Sequence, residues 1–355
     1  MITVKEHIRA LKPYKPGIQP KPGEKVIKLN TNENPYPPSP RVFEAIAREC
    51  REYIRYYPDP KSLRLRHTIA SLYDVPPEWV LCGNGSDEVL RILLRTFTEK
   101  GDRIGFYNPS YSYYATLGRI HNLELAATPL GDDLEQPPLP DIENVRLFFL
   151  TNPNSPLGFS FSPAFVAEIA GRLKGILVVD EAYADFARSN CLHLLRDHPN
   201  IVITRSLSKS YSLAGLRVGF ALGSPRWIRQ MDKVRDHYNL SRVAQAAACA
   251  ALEDRRHFEK NLRRVLRTRG RVSAELARRG YSVLPSEANF LFVRPRAVCA
   301  ARTVYKRLLE SGILVRYFDQ PGLRDGLRIS IGTDKEMDEL LGALSAIETR
   351  SRGYR

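Results

Sequence analysis

Long apolar runs are missing from this chain of 355 residues, and no stretch approaches the length that spans a bilayer. Cysteine is scarce: Cys50, Cys82, Cys191, Cys249 and Cys299 are scattered, odd in number and without CxxC spacing. That pattern argues against a disulfide framework or a zinc site, and for reduced thiols in a cytoplasm. Low-complexity tracts and internal repeats are lacking too. Residues Met1 to Ala10 include Lys5, Glu6 and Arg9 and no apolar core, so no secretory signal is expected. What the chain holds in excess is positive charge, +15 net. Such a balance suits nucleic acid, an acidic membrane surface or anionic small molecules. Much of it crowds between Arg255 and Arg279, where Phe258, Leu262, Val265, Leu266, Val272 and Leu276 recur at helical spacing. The arginines there read as the wet face of an amphipathic helix. With no recognition motif beside them, neither nucleic acid nor a membrane is an expected partner.

The rest of the composition, 43% hydrophobic and 26% charged, is that of an ordinary folded chain, longer than one typical domain. From about Tyr73 to about Gly223, apolar strand-like runs alternate with helical patterns. Val80-Leu81-Cys82, Val145 to Leu150, Gly175 to Val179 and Ile201 to Thr204 each end in a polar, residue-specific turn. The alternation predicts an α/β domain with a mainly parallel sheet flanked by helices, in which ligands gather at the carboxyl ends of the strands. After about Leu252 the order becomes long helix, strand, helix, strand, helix, a smaller α+β unit. Lys12 to Pro40 holds eight prolines and reads as an extended arm that crosses the surface or reaches a neighbouring subunit.

The reactive side chains sit just past the predicted strand ends. In Ser206-Leu207-Ser208-Lys209 a lysine follows a strand, flanked by hydroxyls, with Arg217 eight residues on. Ser206, Ser208 and Arg217 can donate to phosphate oxygens while Lys209 forms a Schiff base with an aldehyde; a surface lysine in a serine-rich loop is the plain alternative. Asp180, directly after an apolar run, can pair with a pyridinium nitrogen, and Tyr183 can donate to a phenolic oxygen; a helix-capping aspartate is the alternative. Gly83-Asn84-Gly85-Ser86-Asp87-Glu88 is a strand-to-helix turn whose N–H groups suit an anion, unless Asp87 and Glu88 satisfy the helix dipole themselves. Tyr111, after Asn108-Pro109-Ser110, can stack on a planar ring or simply fill a turn. Thr151 to Gly158 is a rigid loop following a strand.

In this order and spacing, the segments resemble the class I/II aminotransferases of the fold-type I pyridoxal-phosphate group over nearly the whole chain. The details are most similar to the histidinol-phosphate aminotransferase subfamily. Leu29-Asn30-Thr31-Asn32-Glu33-Asn34-Pro35-Tyr36-Pro37, Tyr57-Pro58-Asp59, Leu213 to Arg217 and Leu327 to Thr333 carry that likeness. The resemblance implies a fold-type I transferase with an arm and part of a small domain in residues 1–45. A large pyridoxal-phosphate domain follows in 46–252 and a small domain in 253–355. It further implies that Lys209 holds the cofactor covalently and shuttles the proton, with Asp180 on the ring nitrogen, Tyr183 on the phenolic oxygen and Tyr111 stacked on the ring. Backbone groups of Ser86 and Asp87, with Ser206, Ser208 and Arg217, would hold the cofactor phosphate. Tyr57 would reach that phosphate from the partner of a homodimer. Arg328, helped by Arg316 and Tyr14, would bind the substrate's anionic group.

One position departs from the family: its asparagine before Pro156 is here Ser155, shorter but still a donor. The implied reaction moves the amino group of L-histidinol phosphate to 2-oxoglutarate, without a metal. Arg328 and Arg316 together suit either a phosphate or a carboxylate. Asn84, Asn289 and Tyr14 are the candidates to lie under the imidazole. An aromatic amino-acid aminotransferase and a decarboxylase of a phosphorylated amino acid are the competing activities. A DNA-binding regulator would need an appended module for which the proline-rich first forty residues leave no room.

Overall fold

The structure is a computed structural model that describes residues 2–11, 17–21, 23–131, 134, 137–295 and 299–352. Its strands are β1 (Ile27–Lys28), β2 (Val80–Asn84), β3 (Arg103–Asn108), β4 (Glu124–Pro129), β5 (Val145–Thr151), β6 (Ile176–Asp180) and β7 (Ile201–Ser206). There follow β8 (Val218–Gly223), β9 (Ser282–Val283), β10 (Phe290–Arg294), β11 (Ile313–Leu314), β12 (Arg316–Tyr317) and β13 (Leu327–Ser330). Seven of them form one sheet in the order β2-β8-β7-β6-β5-β3-β4. All neighbours run parallel except at β8, which is antiparallel to both β2 and β7.

The continuous apolar runs are strands buried on both faces. Along β5, Phe148 and Leu150 enter one core while Leu147 and Phe149 enter another. Along β6, Leu177 and Val179 part from Ile176 and Val178 in the same way. This period of two, with helices covering both sides, is what a parallel central sheet requires.

A third core joins Leu29, Tyr36, Tyr183 and Phe186 to the C-terminal residues Val265, Val272, Phe290, Ile329 and Leu340. Here β12-β13-β10-β9 make an antiparallel sheet, and β1 pairs in parallel with β11. Residues 27–36, at the end of the extended arm read from sequence, are thus packed onto the C-terminal unit. The basic stretch is the helix Arg255–Arg278, with Phe258, Val265, Val272 and Leu276 inward. On its outer side Arg263 pairs with Glu259, Arg267 with Asp334, and Arg271 with Asp338. Among the described residues no helix is long and apolar enough to cross a membrane.

Candidate active site

Because β3, β5, β6 and β7 run parallel, their carboxyl ends share one edge of the sheet. At that edge lies a cavity of about 280 Å³ whose lining includes Lys209, Asp180, Tyr183, Arg217 and Arg328. A larger open groove, about 750 Å³, is lined by Asp102, Asp141, Arg146, Arg172 and Lys174, and none of the expected site residues lies there.

Lys209 is carried on the loop after β7 and donates from Nζ to the Thr31 carbonyl at 3.1 Å. Its ammonium stands 5.7 Å from the centre of the Tyr183 ring. Asp180 ends β6 and is buried. Its Oδ2 accepts from the Tyr114 hydroxyl at 2.8 Å and its Oδ1 from the Ala182 N–H at 3.2 Å. Burial raises this carboxyl to about 6 despite those bonds. Tyr183 behaves oppositely. Burial pushes its hydroxyl up, but the Lys209 and Arg328 charges and bonds to Asn32 and Ser155 outweigh that, leaving it below the ordinary tyrosine value. The Asn32 amide donates to this hydroxyl at 3.0 Å.

The opposite wall is an anion cradle. The helix Gly85–Phe97 begins without a side-chain cap, so its first N–H groups remain available at the positive end of the dipole. Ser86 and Asp87 open that helix, facing Ser206, Ser208 and Arg217 across the cavity. Gly219 on β8 permits the close approach: a Cβ there would lie 2.3 Å from the Ser86 nitrogen. A Cβ on Gly85 (φ +76°) would lie 2.5 Å from the Arg217 guanidinium. Arg217 donates to Ser208 Oγ at 3.3 Å and pairs with the Asp87 carboxylate at 3.1 Å, which also accepts from the Tyr111 hydroxyl. The resemblance implied backbone groups of Asp87, and its side chain is engaged as well. Glu88 accepts from the Asn84 N–H, so it does serve the turn.

A smaller adjoining space of about 120 Å³ shares Thr31, Tyr111, Ser155 and Arg328 with the first and adds Arg316 and Phe318. Arg328 is directed by the Asn30 carbonyl at 2.9 Å and Ser155 Oγ at 3.3 Å. Arg316 and Arg328 are register partners across β12 and β13, with the Phe318 ring 5.3 and 5.5 Å from their guanidiniums.

Of the residues expected from sequence, Ser86, Asp87, Tyr111, Ser155, Asp180, Tyr183, Ser206, Ser208, Lys209, Arg217 and Arg328 meet at the first cavity. Tyr57 does not: it is 75% exposed and stacks on Tyr238 at 4.5 Å. Tyr14 lies outside the described residues. Asn84 donates to the Asn239 carbonyl and does not line the cavity, while Asn289 is buried behind the site, bonded to the Asn32 carbonyl. Sequence reasoning assigned no role to Tyr114, Thr151 or Asn32. Tyr114 is fully buried one helical turn beyond Tyr111, and a buried tyrosine hydroxyl needs a partner.

The residues present fit pyridoxal phosphate. An uncapped helix start with Arg217 and two serines suits its phosphate, a buried carboxylate suits its ring nitrogen, and a lysine between them suits its aldehyde. The sequence pattern described as aminotransferase class I and II matches residues 24–344. The chain is 50% identical over 347 residues to a histidinol-phosphate aminotransferase of Geotalea uraniireducens, spanning 98% of this chain and 100% of that one. It is 48% identical over 344 residues to one of Citrifermentans bemidjiense, spanning 97% and 98%. Its fold matches the crystal structure of histidinol-phosphate aminotransferase from Sinorhizobium meliloti in complex with pyridoxal-5'-phosphate, with a TM-score of 0.87, 28% identity and 99% and 98% of the chains covered. With site geometry, family pattern and near full-length relatives in agreement, the chain belongs to the aminotransferase class I and II family, in its histidinol-phosphate aminotransferase branch.

Proposed function

We propose that this chain uses pyridoxal 5'-phosphate to transfer the amino group of L-histidinol phosphate to 2-oxoglutarate, giving imidazole acetol phosphate and glutamate in histidine biosynthesis. The observation that carries the substrate reading is the pairing of Arg316 with Arg328 directly across two strands. Like charges in that relation destabilise a sheet unless an anion bridges them. A phosphate and a carboxylate both match guanidinium donors, so one site serves the amine donor and the acceptor in turn. Tyr14 of the N-terminal segment assists.

When bound, pyridoxal phosphate supplies an aldehyde carbon that joins an amine and a ring that draws off the electron pair released at Cα. Lys209 would hold that carbon through Nζ. Its Nζ, freed when an amine substrate takes its place, would take the Cα proton as base and return it as acid to the carbon on the far side of the amine nitrogen. Asp180 would keep a proton on the ring nitrogen, and Tyr183 and Ser155 would donate to the phenolic oxygen, with the Asn32 amide holding the Tyr183 hydroxyl. Tyr111 covers one face of the ring. Ser86, Asp87, Ser206, Ser208 and Arg217 hold the phosphate, completed by the partner subunit's Tyr57 in a homodimer. Support for the dimer comes from exposed apolar side chains, Ile54, Tyr56 and Leu63 near that tyrosine in sequence and Tyr238 stacked on it. Five free cysteines fit a cytoplasmic protein.

The test is an absorbance titration of the cofactor-loaded protein with L-histidinol phosphate, and separately with phenylalanine, without 2-oxoglutarate. Conversion of the cofactor band at low histidinol phosphate, with phenylalanine far weaker, is the expected result. Conversion by phenylalanine alone would move the chain to the aromatic enzymes. Release of carbon dioxide from a phosphorylated amino acid would make it a decarboxylase.

A further inference from the structure

Behind the cavity, on the side of the sheet facing away from it, lies a group of buried charges that the reaction does not use. Arg205 is the residue before Ser206 at the end of β7. Its Nε and NH2 donate to Glu181 Oε2 at 3.0 and 2.6 Å, and its NH1 donates to Asp185 Oδ1 at 3.1 Å and the Tyr73 hydroxyl at 3.3 Å. The Glu181 side chain is fully buried and that of Arg205 is 6% exposed. The second oxygens are used as well: Glu181 Oε1 accepts from the Cys191 N–H, and Asp185 Oδ2 from the Ser210 hydroxyl.

Burying two charges forfeits so much hydration that an apolar pair of the same size commonly serves stability as well or better. What such a pair gives in return is fixed geometry, since each guanidinium donor accepts a partner in only one direction. The connectivity says which geometry is fixed. Glu181 follows Asp180 directly. Arg205 stands four residues before Lys209, and Ser210, bound through Asp185, stands one residue after it. The lysine loop, which has only a 3-10 turn at Ala214–Leu216 before β8 begins, is therefore tied on both sides of Lys209 to the segment that carries Asp180 and Tyr183. The Asn34 amide, donating to the Ser210 carbonyl at 3.1 Å, adds a tie from the N-terminal segment.

We propose that Arg205, Asp185 and Ser210 are positioning residues that hold Lys209 at its working distance from Asp180 and Tyr183, through a brace anchored on Glu181. The proposal rests on Lys209 and Asp180 having the roles given above. A misplacement of about 1 Å in a reacting group is enough to cost on the order of a hundredfold in rate, so a brace made of directional bonds has a large effect to protect.

Ser210→Ala and Asp185→Asn test it, because both leave the Arg205–Glu181 pair intact and so avoid stranding a buried charge. Each variant is loaded with pyridoxal phosphate. The pH midpoint of the bound cofactor's absorbance, kcat and KM for L-histidinol phosphate, and the unfolding temperature are then measured. The expected result is a midpoint displaced by about half a pH unit or more and a kcat lowered roughly tenfold, with KM within about twofold. Wild-type midpoint and kcat in both variants, whatever the unfolding temperature does, would overturn the proposal and leave the network a purely structural one. The absorbance titration needs no amine substrate. If the unaltered protein failed to act on L-histidinol phosphate, the substrate reading would fall while this arm still decided the brace.

Discussion

Replacing Asp180 with asparagine should make the cofactor-free chain more stable at neutral pH while abolishing amino transfer. The carboxyl is buried at the end of β6, and burial raises its pKa from 3.8 to about 6. In the unfolded chain it ionises near the ordinary value. Between about pH 4 and about pH 6 the folded chain therefore binds more protons at this group than the unfolded chain does. Stability falls as the pH rises through that window, and the loss is complete above it. An interval of roughly two pH units corresponds to ~3 kcal/mol. Asparagine carries no charge at any of these pH values, and its amide oxygen can still accept from Tyr114. The assay is urea unfolding of the two cofactor-free proteins at one protein concentration, from about pH 4 to about pH 8. The stability of the variant relative to wild type should rise by ~3 kcal/mol across that range and level off above about pH 6, since other titrating groups are common to both. A difference that stays flat would refute the reasoning, because the carboxyl would then ionise as readily in the fold as in water.

Lys209→Ala should abolish turnover together with the absorbance of covalently held cofactor; substantial transamination by that variant would end the assignment of the lysine. Arg328→Ala should raise KM for both the amine donor and 2-oxoglutarate, by roughly tenfold or more for the loss of a charged hydrogen bond, and a change in only one of them would exclude a shared anion site. Gly219→Ala puts a Cβ 2.3 Å from the Ser86 nitrogen and must push the helix start away from Arg217. Its affinity for pyridoxal phosphate, read by equilibrium dialysis, should drop about tenfold or more, and unchanged affinity would mean that the close approach is not what binds the phosphate.

Much of this site was legible because its residues stand where a sequence pattern changes. Asp180 and Lys209 follow apolar runs that had to be strands, and a strand end in a parallel sheet is where ligands bind. What stayed hidden depends on contacts between distant segments. Asn32 meets Tyr183 across 151 positions, and no local spacing encodes that. Tyr114 sits on the face of a helix that the sequence reading left unassigned past Tyr111. The direction of β8 has a physical cause available in the sequence: the connection from Ser206 to Val218 holds no crossover helix, so the strand must return antiparallel. Its pairing with β2, Val80 opposite Leu222, had no such cue. Asp87 was read through its backbone because the family's likeness lies there, and the ion pair to Arg217 follows from β8 bringing that arginine back beside the helix.

Several of the local rules that this chain breaks are broken around one cavity. On the helix Arg255–Arg278, Arg263 and Arg267 lie in water beside Glu259 and Asp334, at little cost. At the carboxyl edge of the large sheet and its junction with the small one, the arrangement reverses. Arg316 faces Arg328 across a ladder. Asp180 is a carboxylate in a dry position, and Glu181 and Arg205 are charges withdrawn from solvent just behind it. Replacing a buried pair such as Glu181 and Arg205 by apolar residues of similar size is commonly neutral or stabilising. Under the proposed function Arg316 and Arg328 bind the substrate anion, Asp180 accepts a hydrogen bond from a protonated ring nitrogen, and Glu181 with Arg205 fixes the lysine loop. Charges held at a cost around one cavity are what the proposed chemistry requires, a cofactor with a phosphate at one end and a substrate anion at the other.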